Sequence, residues 1–270
     1  MPSLPPASPA ARARSRWESA VEPLVTARDG RLWRAHSDAV NGAVVGRWLE
    51  RESCERLLKT DLFDEAMGSG LQPMLESRAR RVVAIDVAPS VLAAAKSRYP
   101  ALDVVAADVR RLPFADASFD AVVSNSTLDH FDTRAEIRDA LAGLHRVLRV
   151  GGRLLITLDN LRHPAVALRN ARPYAWLRRC GLVAYPVGAT MGPALLVRTL
   201  AETGFEVLDT VALLHCPRVI AVRRARVLER AEAPEARDRF LRRMARWEAL
   251  GALPTRFLTG HYVGVLARRP

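Results

Sequence analysis

The sequence predicts an α/β protein built on a doubly wound, mostly parallel sheet, and three observations carry that expectation. Between residues 57 and 159, apolar runs of strand length alternate with helix-period segments, the pattern that produces a parallel sheet. Three of those runs, at 57–63, 82–85 and 102–107, are followed at once by Asp64, Asp86 and Asp108. Parallel strands share one carboxyl edge, so these carboxylates are expected to line one crevice, where open α/β sheets bind ligands. The third observation is a glycine turn, Gly68-Ser69-Gly70, between the first run and the next helix, where the backbone turns and approaches a ligand without a Cβ in the way.

In chain order, residues 1–15 are rich in Pro, Ala, Ser and Arg and are expected to form a disordered tail. Residues 16–56 read as an N-terminal helical cap, with Trp17, Val21, Leu24 and Val25 on one face and Val40, Val44, Val45, Trp48 and Leu49 on another. The polar cluster Trp33 to Asn41 leaves two readings of its Ser37 and Asp38: a helix cap, or a segment where His36 or Asn41 meets a ligand. The domain proper is expected over 57–270. Its helices fall at 71–77, opened by Pro73, at 90–98 and at 134–148, with Ile137, Leu141, Leu144 and Leu148 inward. Strands are expected at 121–124, at 153–158 after Gly151-Gly152, at 205–214 and at 259–267.

Two insertions interrupt the pattern. Residues 161–193 carry Tyr174, Trp176 and Tyr185 among Leu, Val, Arg and Gly, which reads either as an apolar cover over a substrate or as a helix pair shielding the sheet edge. Residues 217–250 hold ten arginines against Glu229, Glu232, Glu235, Asp238 and Glu248; such a helical run is a solvated face, or a surface for phosphate or membrane.

The motifs resemble those of class I S-adenosylmethionine-dependent methyltransferases, in the type 11-like group. Asp64-Glu65-Ala66-Met67-Gly68-Ser69-Gly70 is similar to motif I, with Ala66 at its first glycine position. Residues 83–89 are similar to motif II, 107–114 to the adenine-binding segment, 119–125 to the fourth strand and 148–156 to the approach to the fifth. The resemblance implies a Rossmann-like seven-stranded sheet in the order 3-2-1-4-5-7-6, last strand antiparallel, with helices on both faces. It implies S-adenosyl-L-methionine as cofactor, with Asp86 on the ribose hydroxyls, Asp108 on the adenine amino group and the Val109 N–H on a ring nitrogen. Gly68 and Gly70 would admit the amino-acid end, Asp64 would orient the loop or the ammonium, and Ala66, Val87 and Asn125 complete the set. At Ala66, negative φ costs little and positive φ adds strain.

Composition bounds the rest. At 270 residues with 49% hydrophobic content the chain can bury one substantial core. No apolar run is long enough to cross a membrane, and the start has no apolar signal region, so a cytoplasmic location is expected. Cys54, Cys180 and Cys216 are odd in number and widely spaced, as reduced thiols are. The net charge of +12 invites nucleic acid as a partner, yet Lys59 and Lys96 are the only lysines, and an arginine-rich composition accounts for the charge equally well.

The expected reaction is methyl transfer to the O, N or C nucleophile of a small molecule. His130, just after the fourth strand, is the candidate general base; its alternative role is to pack over the cofactor without titrating. His36, Tyr174, Trp176 and Tyr185 are the candidate substrate contacts, and no metal spacing is present among the histidines. Two rivals stand beside this reading. A nicotinamide dehydrogenase would place a third glycine where Pro73 lies, and a non-catalytic binding protein would keep the fold with a degenerate cofactor site.

Overall fold

The computed structural model describes residues 17–23, 25, 30–49, 54–180, 183, 188–231 and 233–270. The expected tail at 1–15 and Tyr185 lie outside them, as does the side chain of Tyr174. Seven strands form one sheet: β1 Cys54–Lys59, β2 Ala79–Asp86, β3 Asp103–Ala106, β4 Phe119–Asn125, β5 Leu148–Asp159, β6 Glu206–Leu213 and β7 Tyr262–Arg268. Their order is β3-β2-β1-β4-β5-β7-β6. Pairings among β1 to β5 are parallel, and β7 runs antiparallel between β5 and β6. The expected fold class and strand order are those observed.

Both faces of the sheet are covered, which is why the central strands read as nearly continuous apolar runs. Leu57, Val82, Ala84, Ala121 and Val123 belong to one core, with Val45, Trp48 and Leu49 of α1 (Arg31–Leu49) and Val91 of α4 (Pro89–Arg98). Leu58, Val83, Ile85, Val122, Leu154 and Ile156 belong to the other, against Ile137, Leu141 and Leu144 of α5 (Arg134–Val147) and Leu196 and Leu200 of α8 (Pro193–Glu202). Neighbouring residues alternate between cores because a strand's side chains alternate between faces. Thr133 and Glu136 cap α5 reciprocally, side chain to backbone. Leu148, expected at the end of α5, instead opens β5, which runs through Gly151-Gly152.

The start of the sheet departs from expectation. β1 begins at Cys54, within the residues expected to be cap, and ends at Lys59. Asp64 therefore does not follow β1 but lies inside a short helix, α2 (Phe63–Met67), which is followed by α3 (Gln72–Glu76). The physical reason is Lys59: only 1% exposed, it completes the strand by ion-pairing inside the protein. Its Nζ lies 2.8 Å from Glu65 Oε2 and donates to the Asp61 carbonyl at 2.7 Å. Glu65 must be in α2 to reach it, so the chain turns early, at residues 60–62. Burial alone would lower the Lys59 ammonium, but the Asp61 and Glu65 carboxylates outweigh it and hold it above its ordinary value.

The second half of the chain closes one end of the crevice. Residues 161–193 contain α6 (Pro164–Asn170) and α7 (Tyr174–Arg179), and the basic run forms α9 (Arg218–Arg230) and α10 (Pro234–Ala245). Ala221 and Ala225 of α9 meet Phe240 and Met244 of α10 and Leu32 of α1 in a third, smaller core. A short α11 (Arg256–Thr259) leads into β7.

Lys59 and Glu65 are both fully enclosed, so removing one partner strands the other charge. Glu65→Ala is expected to cost about 3–5 kcal/mol of stability, read from urea unfolding; a loss under about 1 kcal/mol would mean that Asp61 alone satisfies the ammonium.

Candidate active site

One cavity of about 1630 Å³ lies along the carboxyl edge of the sheet. Pockets that take one drug-sized molecule run to roughly 300–1,000 Å³, so this one has room for two. Its inner wall comes from successive strand ends: Thr60 and Asp61 after β1, Asp86 and Val87 at β2, Asp108 and Val109 after β3, Asn125 to Thr127 after β4, and Asp159 at β5. Its outer wall comes from α1, α6, α7, α9 and α11.

Asp86 ends β2 with both oxygens tied to backbone: Oδ1 accepts from the Ala88 N–H at 2.9 Å and Oδ2 from the Leu62 N–H at 3.0 Å. These bonds fix the carboxylate and hold the turn after β1 against β2. Burial is the largest influence on it and, over those bonds, raises its pKa to about 6. Asp108 is gripped by Arg110, whose Nη2 lies 2.6 Å from Oδ2 and whose Nη1 reaches Glu136 at 2.7 Å. Burial opposes ionisation there, but the Arg110 bonds prevail and its pKa is lowered.

The turn after β1 carries side chains where a glycine loop was expected. Thr60 Oγ1 is 3.0 Å from Ser124 Oγ and 2.9 Å from Thr127 Oγ1, and Thr127 Oγ1 donates to Asp61 Oδ2 at 3.1 Å. Arg34 pairs with Asp64 at 2.6 Å. Asp38 accepts from the Gly70 N–H at 3.2 Å; burial first, then the Asp64 and Glu65 charges, raise its pKa to about 7. Asp38, Asp61, Asp64 and Glu65 thus stand against two cations, Lys59 and Arg34, and the region carries an excess of acid.

Of the residues singled out in the sequence, Asp64, Asp86, Val87, Asp108, Val109, Asn125 and His130 line the cavity, and so does Trp176 at its mouth. Ala66, Gly68 and Gly70 do not. Ala66 sits in α2, where an alanine is at home, and Gly68 is extended at φ −155°. Gly70 has φ +56°, and a Cβ there would come within 2.5 Å of the Glu65 carboxyl carbon, so this glycine makes room for a buried carboxylate. His36 is buried beside Trp33 and Cys216, which line the cavity, but is not itself part of the lining. His130 meets the Trp17 ring edge-on at 4.7 Å.

Several lining residues were not anticipated. Ser126 has φ +51°, a region that a non-glycine residue occupies at a cost, and its hydroxyl donates to Asp129 Oδ2 at 3.0 Å. Asp129 also accepts from the Asp159 N–H at 2.8 Å; burial and the Asp159 charge raise its pKa. Farther out, Asp159 pairs with Arg169, and His261 Nε2 lies 3.3 Å from Asp159 Oδ1 and 2.8 Å from Arg218 Nη1. One ring nitrogen serves only one of these partners, as acceptor from Arg218 or donor to Asp159. Burial, then the Arg218 charge, lowers the His261 pKa to about 4, so it is neutral near pH 7. His261 and Arg218 come from distant parts of the chain, and only the antiparallel return of β7 joins them to Asp159. Among the described residues, no group of His, Cys, Asp or Glu is arranged to hold a metal, and no helix is long and apolar enough to cross a membrane.

Residues 64–156 match the family model of the methyltransferase domain. The chain is 28% identical over 156 residues to a probable S-adenosylmethionine-dependent methyltransferase of Mycolicibacterium smegmatis, covering 57% of this chain and 55% of that protein. It is 35% identical over 130 residues to the demethylmenaquinone methyltransferase of Beutenbergia cavernae, covering 47% and 46%. The matches thus span about half the length of these relatives. The crystal structure of the [4+2]-cyclase SpnF shares the fold at a TM-score of 0.63 and 19% identity, covering 100% of this chain and 99% of that one. Over residues 64–156 the chain is thus similar to the methyltransferase domain of S-adenosylmethionine-dependent enzymes, and its sheet order is the one that this resemblance implies.

Proposed function

We propose that the chain is an enzyme that transfers a methyl group from S-adenosylmethionine to a small-molecule acceptor. The observation that carries this reading is Asp86. It ends β2 beside the sheet's central crossing point, lines the cavity, and has one backbone donor on each oxygen. A carboxylate accepts at about four positions, so each oxygen keeps capacity for one of two adjacent ribose hydroxyls.

The other residues fit the same cofactor. Asp108 and the Val109 N–H suit an adenine edge, and the acid excess around Asp61 and Asp64 suits a ligand that carries an ammonium and a sulfonium. Asp61 is the residue we add to the expected set, in place of Gly68 and Gly70. Bound there, S-adenosylmethionine supplies an electrophilic methyl group and a neutral leaving group. The protein's part is then alignment and exclusion of water, and alignment alone can supply up to roughly 7–11 kcal/mol. The volume left beside the cofactor, walled by Trp33, Trp176, Leu168 and Leu258, suits an acceptor with a substantial apolar body. His130 is our candidate to take the acceptor's proton.

Calorimetric titration is expected to show micromolar binding of S-adenosylmethionine and S-adenosylhomocysteine and none of NADH; absence of both nucleosides would favour a non-catalytic binding protein. Asp86→Ala is expected to weaken that binding about 10- to 100-fold, the worth of hydrogen bonds to a charged group; an unchanged affinity would move the site elsewhere. Because the ionised form accepts the hydroxyls, affinity should decline as pH falls through about 6. Ligand-free stability runs the other way: the folded value lies above the ordinary 3.8, so the folded chain holds the extra proton and loses stability as pH rises from 3.8 to about 6.

A further inference from the structure

Among the described residues, ten large hydrophobic side chains are exposed, and six of them, Leu168, Trp176, Val219, Ile220, Trp247 and Leu258, line the mouth of this one cavity. Scattered single exposures are normal on a protein surface, whereas a cluster around one opening marks an interaction site. The strongest part of the cluster is α9. Its inner face is Ala221 and Ala225, both buried. Its outer face carries Val219, Ile220 and Val227, which are 58%, 69% and 64% exposed. Arg223, Arg224, Arg226 and Arg230 are exposed beside them. The one acidic residue of the helix, Glu229, turns inward to accept the Gly30 and Leu32 backbone N–H groups. The outer face of α9 is therefore aliphatic and cationic along its length, with no anion on it.

We propose that this face of α9, with the rim of the cavity, rests on an anionic lipid bilayer. A helix that alternates aliphatic and basic side chains lies in the plane of such a surface, with the aliphatics among the acyl chains and the cations at the phosphates. Arginine suits that position: its stem covers apolar surface while its planar head meets phosphate oxygens in pairs. A small ligand in the cavity does not account for the face. Val219 to Arg230 spans about 17 Å at 1.5 Å per residue, and Arg224, Val227 and Arg230 lie outside the cavity lining. A protein partner is a poorer match, since the centre of a protein interface is depleted of charge, and here an arginine stands in every turn. The bilayer would also bring an apolar acceptor to Leu168, Trp176 and Ile220 at the opening.

The test is co-sedimentation of the full chain with phosphatidylcholine vesicles, with and without phosphatidylglycerol. Binding is expected only with phosphatidylglycerol. Ile220→Ser with Val227→Ser should reduce it about ten-fold or more through loss of buried aliphatic area. Arg224→Gln with Arg230→Gln should reduce it and flatten its dependence on salt. These side chains are exposed, so circular dichroism and melting temperature should not change; Val227→Ser alone, expected to weaken binding several-fold, serves if the pair fails to fold. No binding to either vesicle would overturn the proposal. So would binding untouched by loss of the aliphatics, which is how a chain of net charge +12 is drawn to any anionic surface. The readout needs no cofactor, so its failure would leave the methyl-transfer reading standing.

Discussion

The Lys59 ammonium is the constraint on which the centre of the molecule depends. It is buried at the end of β1, and a buried charge without partners costs several kcal/mol. Its partners fix the path of the chain from Thr60 to Gly70. Glu65 must be helical to reach it, Gly70 must lack a Cβ to leave Glu65 in place, and the turn between must be short. That turn presents Asp61 and Thr60 to the cavity, and its Leu62 N–H holds Asp86. A buried ion pair is a weak source of net stability; here it serves to give one conformation to the loop that faces the cavity.

Carboxylates and arginines both line the cavity. The carboxyl edge of the sheet and the turns and short helices beyond it contribute Asp61, Asp64, Asp86, Asp108, Asp129 and Asp159, while the opening is edged by Arg172, Arg223 and Arg226. Ionisation of these carboxylates is perturbed in both directions: burial raises Asp61, Asp86 and Asp129, whereas Arg110 lowers Asp108, and the His261 hydrogen bond with the Arg169 charge lowers Asp159. Perturbation of this kind gathers at functional sites because function needs charge in places that folding alone would avoid.

The sheet and much of its carboxyl edge were legible in the sequence because strand-length apolar runs, acids after strands and the α5 periodicity are local signals, while the strand order followed from the resemblance to class I methyltransferases. Asp86, Asp108 and Asn125 fell where those signals put them. The end of β1 was misread because Leu62 and Phe63 carry the apolar run on to Asp64, and nothing local to it says that Lys59 will be buried. Lys59, a charge within an apolar run, was the available signal. The Asp159, His261 and Arg218 cluster was illegible for a different reason: its members meet only through the pairing of β5 with β7, which is a property of the whole sheet.

That pairing bears on how the protein is made. β7 lies between β5 and β6 and bonds to both, so β6 has no partner in the sheet until residues 262–268 have left the ribosome. The parallel half, β1 to β5, contains its own neighbours and can form while synthesis continues. Until β7 arrives, β5 and β6 each present an open edge, the state in which a nascent chain is most exposed to pairing with another. The strand that completes the Asp159 cluster is thus also the one that seals the sheet, so the outer wall of the cavity cannot be finished before folding is.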